Sequence, residues 1–273
     1  MPSLSPKPSS PPLVLVLMAF TGTWFGFANP WLHLPGVIFL LPLALILGTQ
    51  QASTARQALT HGLLLTWPGY SASLYWLAIP VHDFGGFPWI LALPCPILVG
   101  AVLAAYAGLF CLGLFYVQST NISLWAVIFS GVFWATLELG RNYLFTGFPW
   151  LSLASAWGPW PWALGLAAWI GSFGLAGLMV AMTYLALLRN KYAWLSLAML
   201  TLILLGPYWW SSAPSIKATA SITLVQGNIN QDQKWDAAMQ NRTIAQYAQL
   251  SHQSLAEHPT DLLVWPETAL PFY

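Results

Sequence analysis

Of 273 residues, 58% are hydrophobic and only 5% are Asp, Glu, Lys or Arg, and the formal net charge is +1. A soluble domain carries about a quarter charged residues, so this chain cannot clothe itself for water and most of its surface must face lipid. No basic run marks a nucleic-acid partner. The two cysteines, Cys95 and Cys111, lie in apolar stretches and define neither a disulfide framework nor a zinc site.

The Pro/Ser-rich start, residues 1–12, reads as a disordered tail. Leu13–Ala28 has the length of a signal-peptide core, but its polar flank and the apolar spans that follow favour an uncleaved first helix. A bilayer core needs roughly 20 apolar residues per helix. Seven candidate spans are predicted, at about 13–29, 34–50, 57–80, 87–117, 122–145, 162–188 and 192–210. The second is short, the third is interrupted by Trp67-Pro68-Gly69, and the fourth is broken by Pro94 and Pro96. Such interruptions are tolerated where protein or a cavity surrounds the backbone.

Placing the N-terminus in the cytoplasm puts Lys7, Arg56, Arg189 and Lys191 inside. The short outer loops near 30–33, 81–86 and 146–161 then contain no Lys or Arg, as the positive-inside rule requires. Seven spans from an inside start deliver residues 211–273 to the outer face. Trp24, Trp31, Trp89, Trp150, Trp160, Trp162, Trp209 and Trp210 fall near span ends, where aromatic belts form. His33, His61 and His82 are scattered and lack metal-ligand spacing.

Two ionisable residues lie inside a span. Glu138 and Arg141 are three apart on one helix, share a face and can pair. Ionisable groups in a span are functional candidates by default. The plainer alternative is a pair near the outer interface that orders the loop after it.

The composition breaks near Trp210. Residues 1–210 hold seven charged side chains and residues 217–273 hold the other eight, so a domain boundary is expected in Ser211–Lys217, within a linker at 211–219. Ser221–Gln226 alternates and reads as a strand, and residues 227–230 end it. Ala237–Glu257 is helix-compatible, with Ile244, Tyr247, Ala248, Leu250 and Leu255 loosely on one side. Leu262–Trp265 is a second short strand closed by Pro266. Strand, helix and strand in this order form a βαβ unit, which implies a parallel sheet and an α/β domain. Two strands do not make a stable domain alone.

At this point the residues carry a resemblance. Val225-Gln-Gly-Asn-Ile229, Lys234-Trp-Asp236 and Leu263-Val-Trp-Pro-Glu-Thr-Ala-Leu-Pro271 resemble the opening of the nitrilase-type domain of bacterial apolipoprotein N-acyltransferases. In the membrane part, Asp83-Phe-Gly-Gly86 fits the family. The stretch from Glu138 to Leu151, with its Thr146-Gly-Phe-Pro-Trp150 run, is similar to the family's segment before an outer-face loop.

The fold class implied is an α-helical polytopic membrane domain of about seven spans (13–210), followed by the start of an α/β nitrilase-like domain (220–273). The resemblance implies a multi-pass protein of the bacterial inner membrane that needs no cofactor. Its donor would be a phospholipid, its acceptor an apolipoprotein bearing diacylglyceryl-cysteine, and membrane lipid its surroundings. The implied chemistry is a Glu-Lys-Cys thioester relay: the Glu is general base, the Lys steadies the oxyanion, and the Cys carries the acyl chain.

The Glu maps onto Glu267, which would stand desolvated at the end of a buried strand, a setting that suits a general base. An ordinary strand-end carboxylate is the plainer reading of the same residue. Trp235 resembles a family Trp near the substrate chamber, although a domain-core Trp would serve equally. Phe148, Pro149 and Trp150 are either interface anchors or part of a lipid entrance. Lys217 and Lys234 do not match the catalytic Lys, and Cys95 and Cys111 do not match the nucleophile.

The family's Lys and Cys lie downstream of the Trp-Pro-Glu segment, and this sequence ends at Tyr273. The stretch is therefore expected to hold the base without its nucleophile, and to be inactive alone. Two rivals remain. A different membrane-anchored nitrilase-type amidase would share the base. A transporter built on Glu138 and Arg141 would show related halves, and no convincing internal repeat is present.

Overall fold

The computed structural model describes residues 10–27, 29–118, 124–144, 147–188, 191–210, 220–230, 237–267 and 269–270. It divides into two compact units, Met1–Ser211 and Ser212–Tyr273. Residues 1–9 of the expected tail at 1–12, the whole expected linker at 211–219 with Lys217, and Lys234 and Trp235 fall outside the described residues.

The first unit is helical. Its elements are α1 (Leu13–Gly26), α2 (Leu40–Gln51), α3 (Ala55–Ser73), α4 (Ala78–Asp83), α5 (Trp89–Ala92), α6 (Pro94–Gln118), α7 (Leu124–Tyr143), α8 (Ala167–Leu187) and α9 (Lys191–Trp210), with short 3-10 turns between several of them. Two described helical stretches are long and apolar enough to cross a membrane, Trp89–Gln118 and Ala167–Leu187. Leu13–Gly26 and Pro35–Gln51 are apolar but shorter.

Several predicted spans are subdivided. The second opens with a 3-10 turn, Pro35–Phe39, before α2 begins. The third does not break at Trp67-Pro68-Gly69: α3 runs through Pro68 and stops at Ser73, then continues as the 3-10 turn Tyr75–Leu77 and α4. Proline removes one donor, and a neighbouring helix can cover the freed carbonyl. The sixth starts as a 3-10 turn, Pro161–Leu164, and α8 itself is kinked at Gly171.

The core of this unit is one continuous apolar cluster that includes Leu41, Leu45, Leu65, Leu103, Phe110, Leu114, Trp134, Leu175 and Tyr184. The α3/α6 and α7/α8 pairs pack most closely. At the α7/α8 crossing, a Cβ on Gly131 would lie 2.8 Å from the Gly177 carbonyl oxygen, so only glycine admits this approach. Buried hydroxyls are satisfied within their own helices: Thr49 donates to the Leu45 carbonyl, Thr66 to Gly62 and Thr183 to Met179, each at 2.8 Å.

The second unit contains β1 (Ile222–Leu224), α10 (Gln240–Glu257) and β2 (Leu262–Val264). The strands are parallel, with Thr223 opposite Leu263, and Val225 N–H extends the ladder to the Val264 carbonyl at 3.0 Å. The buried side of α10 is Thr243, Tyr247 and Ser251, a narrower and more polar stripe than the expected Ile244/Tyr247/Ala248/Leu250/Leu255 side. Tyr247 joins Val225 and Ala269 in a small core, flanked by Leu250, Leu263 and Trp265. Ile222, Leu224, Leu262 and Val264 remain exposed.

Candidate functional site

The last turns of α7 carry the densest polar cluster described in the first unit. Trp134, Glu138 and Arg141 recur at helical spacing, so they share the inward face of α7, and all three are buried. Glu138 is only 4% exposed. Its Oε1 accepts from Trp134 Nε1 at 3.0 Å and from the Leu153 backbone N–H at 2.8 Å, and its Oε2 accepts from Ser152 Oγ at 2.7 Å. A carboxylate offers about four acceptor positions, and neutral donors occupy three of them here.

Two of those donors lie beyond the helix, so the carboxylate holds the following loop. Leu153 opens the 3-10 turn Leu153–Trp157, and Glu138 caps its first N–H. The loop is also tied to the end of α7: Gly147 N–H donates to the Leu144 carbonyl at 3.0 Å and Phe148 N–H to the Arg141 carbonyl at 3.1 Å. Gly147 makes the reversal at φ 88°, a conformation open to glycine. Ser155 closes the turn by donating from its hydroxyl to the Ser152 carbonyl at 2.6 Å.

The expected Glu138–Arg141 pairing is not what the side chains do. None of the bonds to the Glu138 carboxylate comes from Arg141, and Arg141 Nε and Nη2 have no hydrogen-bond partner among the described residues. Arg141 instead lines a small cavity with Tyr70, Tyr106, Trp134 and Glu138. The side-chain hydrogen bonds from α7 to the loop are those of the Glu138 carboxylate.

The loop presents aromatic side chains. Phe148 and Trp150 lie 5.0 Å apart between ring centroids, and Trp150 also meets Trp76 at 5.9 Å. Phe148 is half-buried against the core, whereas Trp150 is 50% exposed. Pro149 lines a cavity of about 390 Å³ with Asn142, Ser152, Ser155 and Ser172. Sequence reasoning missed His33, whose Nε2 lies 3.0 Å from both the Gly26 and Ala156 carbonyls. Two carbonyls accept only, so Nε2 bears the hydrogen and pins this turn to the segment after α1.

In the second unit Glu267 occupies the turn after β2, directly following Pro266, and is exposed. The expected burial at a strand end is therefore not found: β2 stops at Val264, and the two residues between carry the chain to the surface of this unit. Its supports are ordered nonetheless. Trp265 Nε1 donates to Ser251 Oγ at 2.9 Å, the Trp265 and Tyr247 rings lie 5.4 Å apart, and Ala269 N–H closes the turn onto the Pro266 carbonyl at 3.0 Å. Gln246 Nε2 donates to the Gly227 carbonyl at 2.8 Å, which ties α10 to the segment after β1.

Comparison with known proteins covers most of the chain. A family model described as the apolipoprotein N-acyltransferase N-terminal domain matches residues 15–185. A protein of Geobacter metallireducens named apolipoprotein N-acyltransferase is 31% identical over 262 residues, 91% of this chain and 49% of that one. Its namesake in Pseudomonas putida is 31% identical over 282 aligned residues, 97% of this chain and 53% of that one. A third, from Shewanella oneidensis, is 27% identical over 267 residues. The chain spans about half the length of the curated relatives it matches. The chain belongs to the apolipoprotein N-acyltransferase family.

Proposed function

We propose that the protein transfers a fatty acyl chain from a membrane phospholipid, typically phosphatidylethanolamine, to the α-amino group of diacylglyceryl-cysteine at the N-terminus of apolipoproteins. The observation that carries this reading is an alignment with a named acyltransferase over 97% of the chain, running through both the helical unit and the βαβ unit.

The chemistry proposed is a two-step relay. A general base takes the proton of a cysteine thiol, the thiolate attacks the phospholipid ester carbonyl, and the lysolipid alkoxide leaves with a proton, giving a thioester. The apolipoprotein amine then attacks that thioester, forms the amide and returns the thiol. Glu267 is the proposed base. Within these 273 residues only the base of the Glu-Lys-Cys triad has a matching position. In the second unit Trp235 is assigned to the substrate chamber. In the first, Phe148, Trp150, Arg141 and Glu138 are assigned to substrate binding at the lipid entrance.

The membrane arrangement proposed is seven crossings in the bacterial inner membrane, with the N-terminus cytoplasmic and residues 211–273 periplasmic. The distribution of Lys and Arg supports it. Alkaline phosphatase fused after residue 220 should be active. An inactive phosphatase with a fluorescent cytoplasmic-type reporter at the same site would contradict this orientation.

The activity is tested with the family's downstream Lys and Cys present, in proteoliposomes containing acyl-labelled phosphatidylethanolamine and a diacylglyceryl-cysteine peptide. The label should move to the peptide amine with release of lysolipid. Hydrolysis of small amides without acyl transfer would instead favour a membrane-anchored amidase.

A further inference from the structure

We propose that Arg141 is the donor side of a binding site for one ordered water molecule inside the α3/α6/α7 bundle. Arg141 is 5% exposed, and its Nε and Nη2 have no hydrogen-bond partner among the described residues. Both belong to the side chain that lines the cavity bounded by Tyr70 of α3, Tyr106 of α6, and Trp134, Leu137 and Glu138 of α7. A buried guanidinium requires partners for its N–H groups, since burial without them forfeits its hydration.

Size and charge choose the ligand. The cavity is about 10 Å³, close to the roughly 10–15 Å³ that one water needs. A phosphate or carboxylate group does not fit that space. The Glu138 carboxylate on the same wall also repels an anion. A single neutral oxygen fits both limits: it accepts from the guanidinium and places no second negative charge beside Glu138. The other walls do not compete for the site, because the Trp134 N–H is already committed to Glu138. Tyr70, which lines the same cavity from α3, is a second polar neighbour. The bound oxygen thereby partners Arg141 N–H groups that no described residue reaches. The inference is independent of the acyl-transfer reading.

The test is a structure of the protein in lipid nanodiscs at a resolution that shows ordered water. One peak is expected within hydrogen-bond reach, about 2.7–3.2 Å, of Arg141 Nε or Nη2. A compact isolated peak, with hydroxyl-radical labelling of Tyr70 and Tyr106, identifies water. A peak continuous with a lipid chain would overturn the proposal. In a folded Arg141→Met variant the peak should be lost. Absence of the peak in the wild-type protein, a direct Arg141–Glu138 ion pair in its place, or persistence of the peak in Arg141→Met would each overturn the proposal.

Discussion

Replacing Glu138 with leucine is expected to destabilise the helical unit by about 3–5 kcal/mol, the range for removing one member of a buried charged network. The size of the effect follows from what is left behind. Trp134 Nε1, Ser152 Oγ and the Leu153 N–H would all lose their acceptor, and Ser152 and Leu153 are buried. Each stranded donor costs about 1–3 kcal/mol, and Arg141 would be left as an uncompensated buried cation. Some relaxation of the loop keeps the total below the simple sum.

Glu138→Gln retains an acceptor oxygen, and the Ser152 hydroxyl can rotate to accept from the new amide, so a smaller loss is expected. Thermal unfolding of the protein in detergent, followed by tryptophan fluorescence, reads both variants. If Glu138→Leu unfolds with the wild-type protein, the carboxylate does not hold the loop that carries Phe148 and Trp150.

With the family's downstream Lys and Cys present, Glu267→Gln is expected to leave the fold intact and to reduce acyl transfer by about 10²–10⁴-fold, the usual contribution of a general base. Stability should be little changed because the side chain is exposed, and the turn is held by Ala269 N–H on the Pro266 carbonyl and by Trp265 on Ser251. Glutamine matches the shape of glutamate but cannot take a proton from a thiol. A normal rate in a folded Glu267→Gln protein, measured with the labelled-phospholipid assay, would remove Glu267 from the chemistry. A slow variant that also unfolds early would point to a structural role.

Parts of this architecture were legible in the sequence for identifiable reasons. The 5% charge content forces a lipid-facing class, and the change in period after residue 220 marks a strand, a helix and a strand. Glu138 and Arg141 stand out because charge inside an apolar helix is expensive. Their partners do not stand out. Leu153 contributes a backbone N–H, which carries no sequence signal, and Ser152 arrives by a reversal at Gly147. Trp134, four residues before Glu138 on the same helix, was the one partner that i, i+4 spacing could have disclosed.

Apolar runs also overstate regular structure. Hydropathy sees 34–50 and 57–80 as single spans, whereas the backbone changes to 3-10 turns at Pro35–Phe39 and Tyr75–Leu77. The same limit explains the misjudged burial of Glu267. Alternation locates β2, but whether a strand end is covered depends on neighbouring elements that the local pattern does not encode.

The most direct test of the account is mass spectrometry of lipoprotein N-termini. It is done in a bacterium depleted of its own apolipoprotein N-acyltransferase and carrying the gene that encodes this stretch. The account predicts N-terminal peptides heavier by one amide-linked acyl chain with the wild-type gene, and diacylated peptides with Glu267→Gln. Peptides that stay diacylated while the wild-type protein is present and folded in the membrane would contradict it.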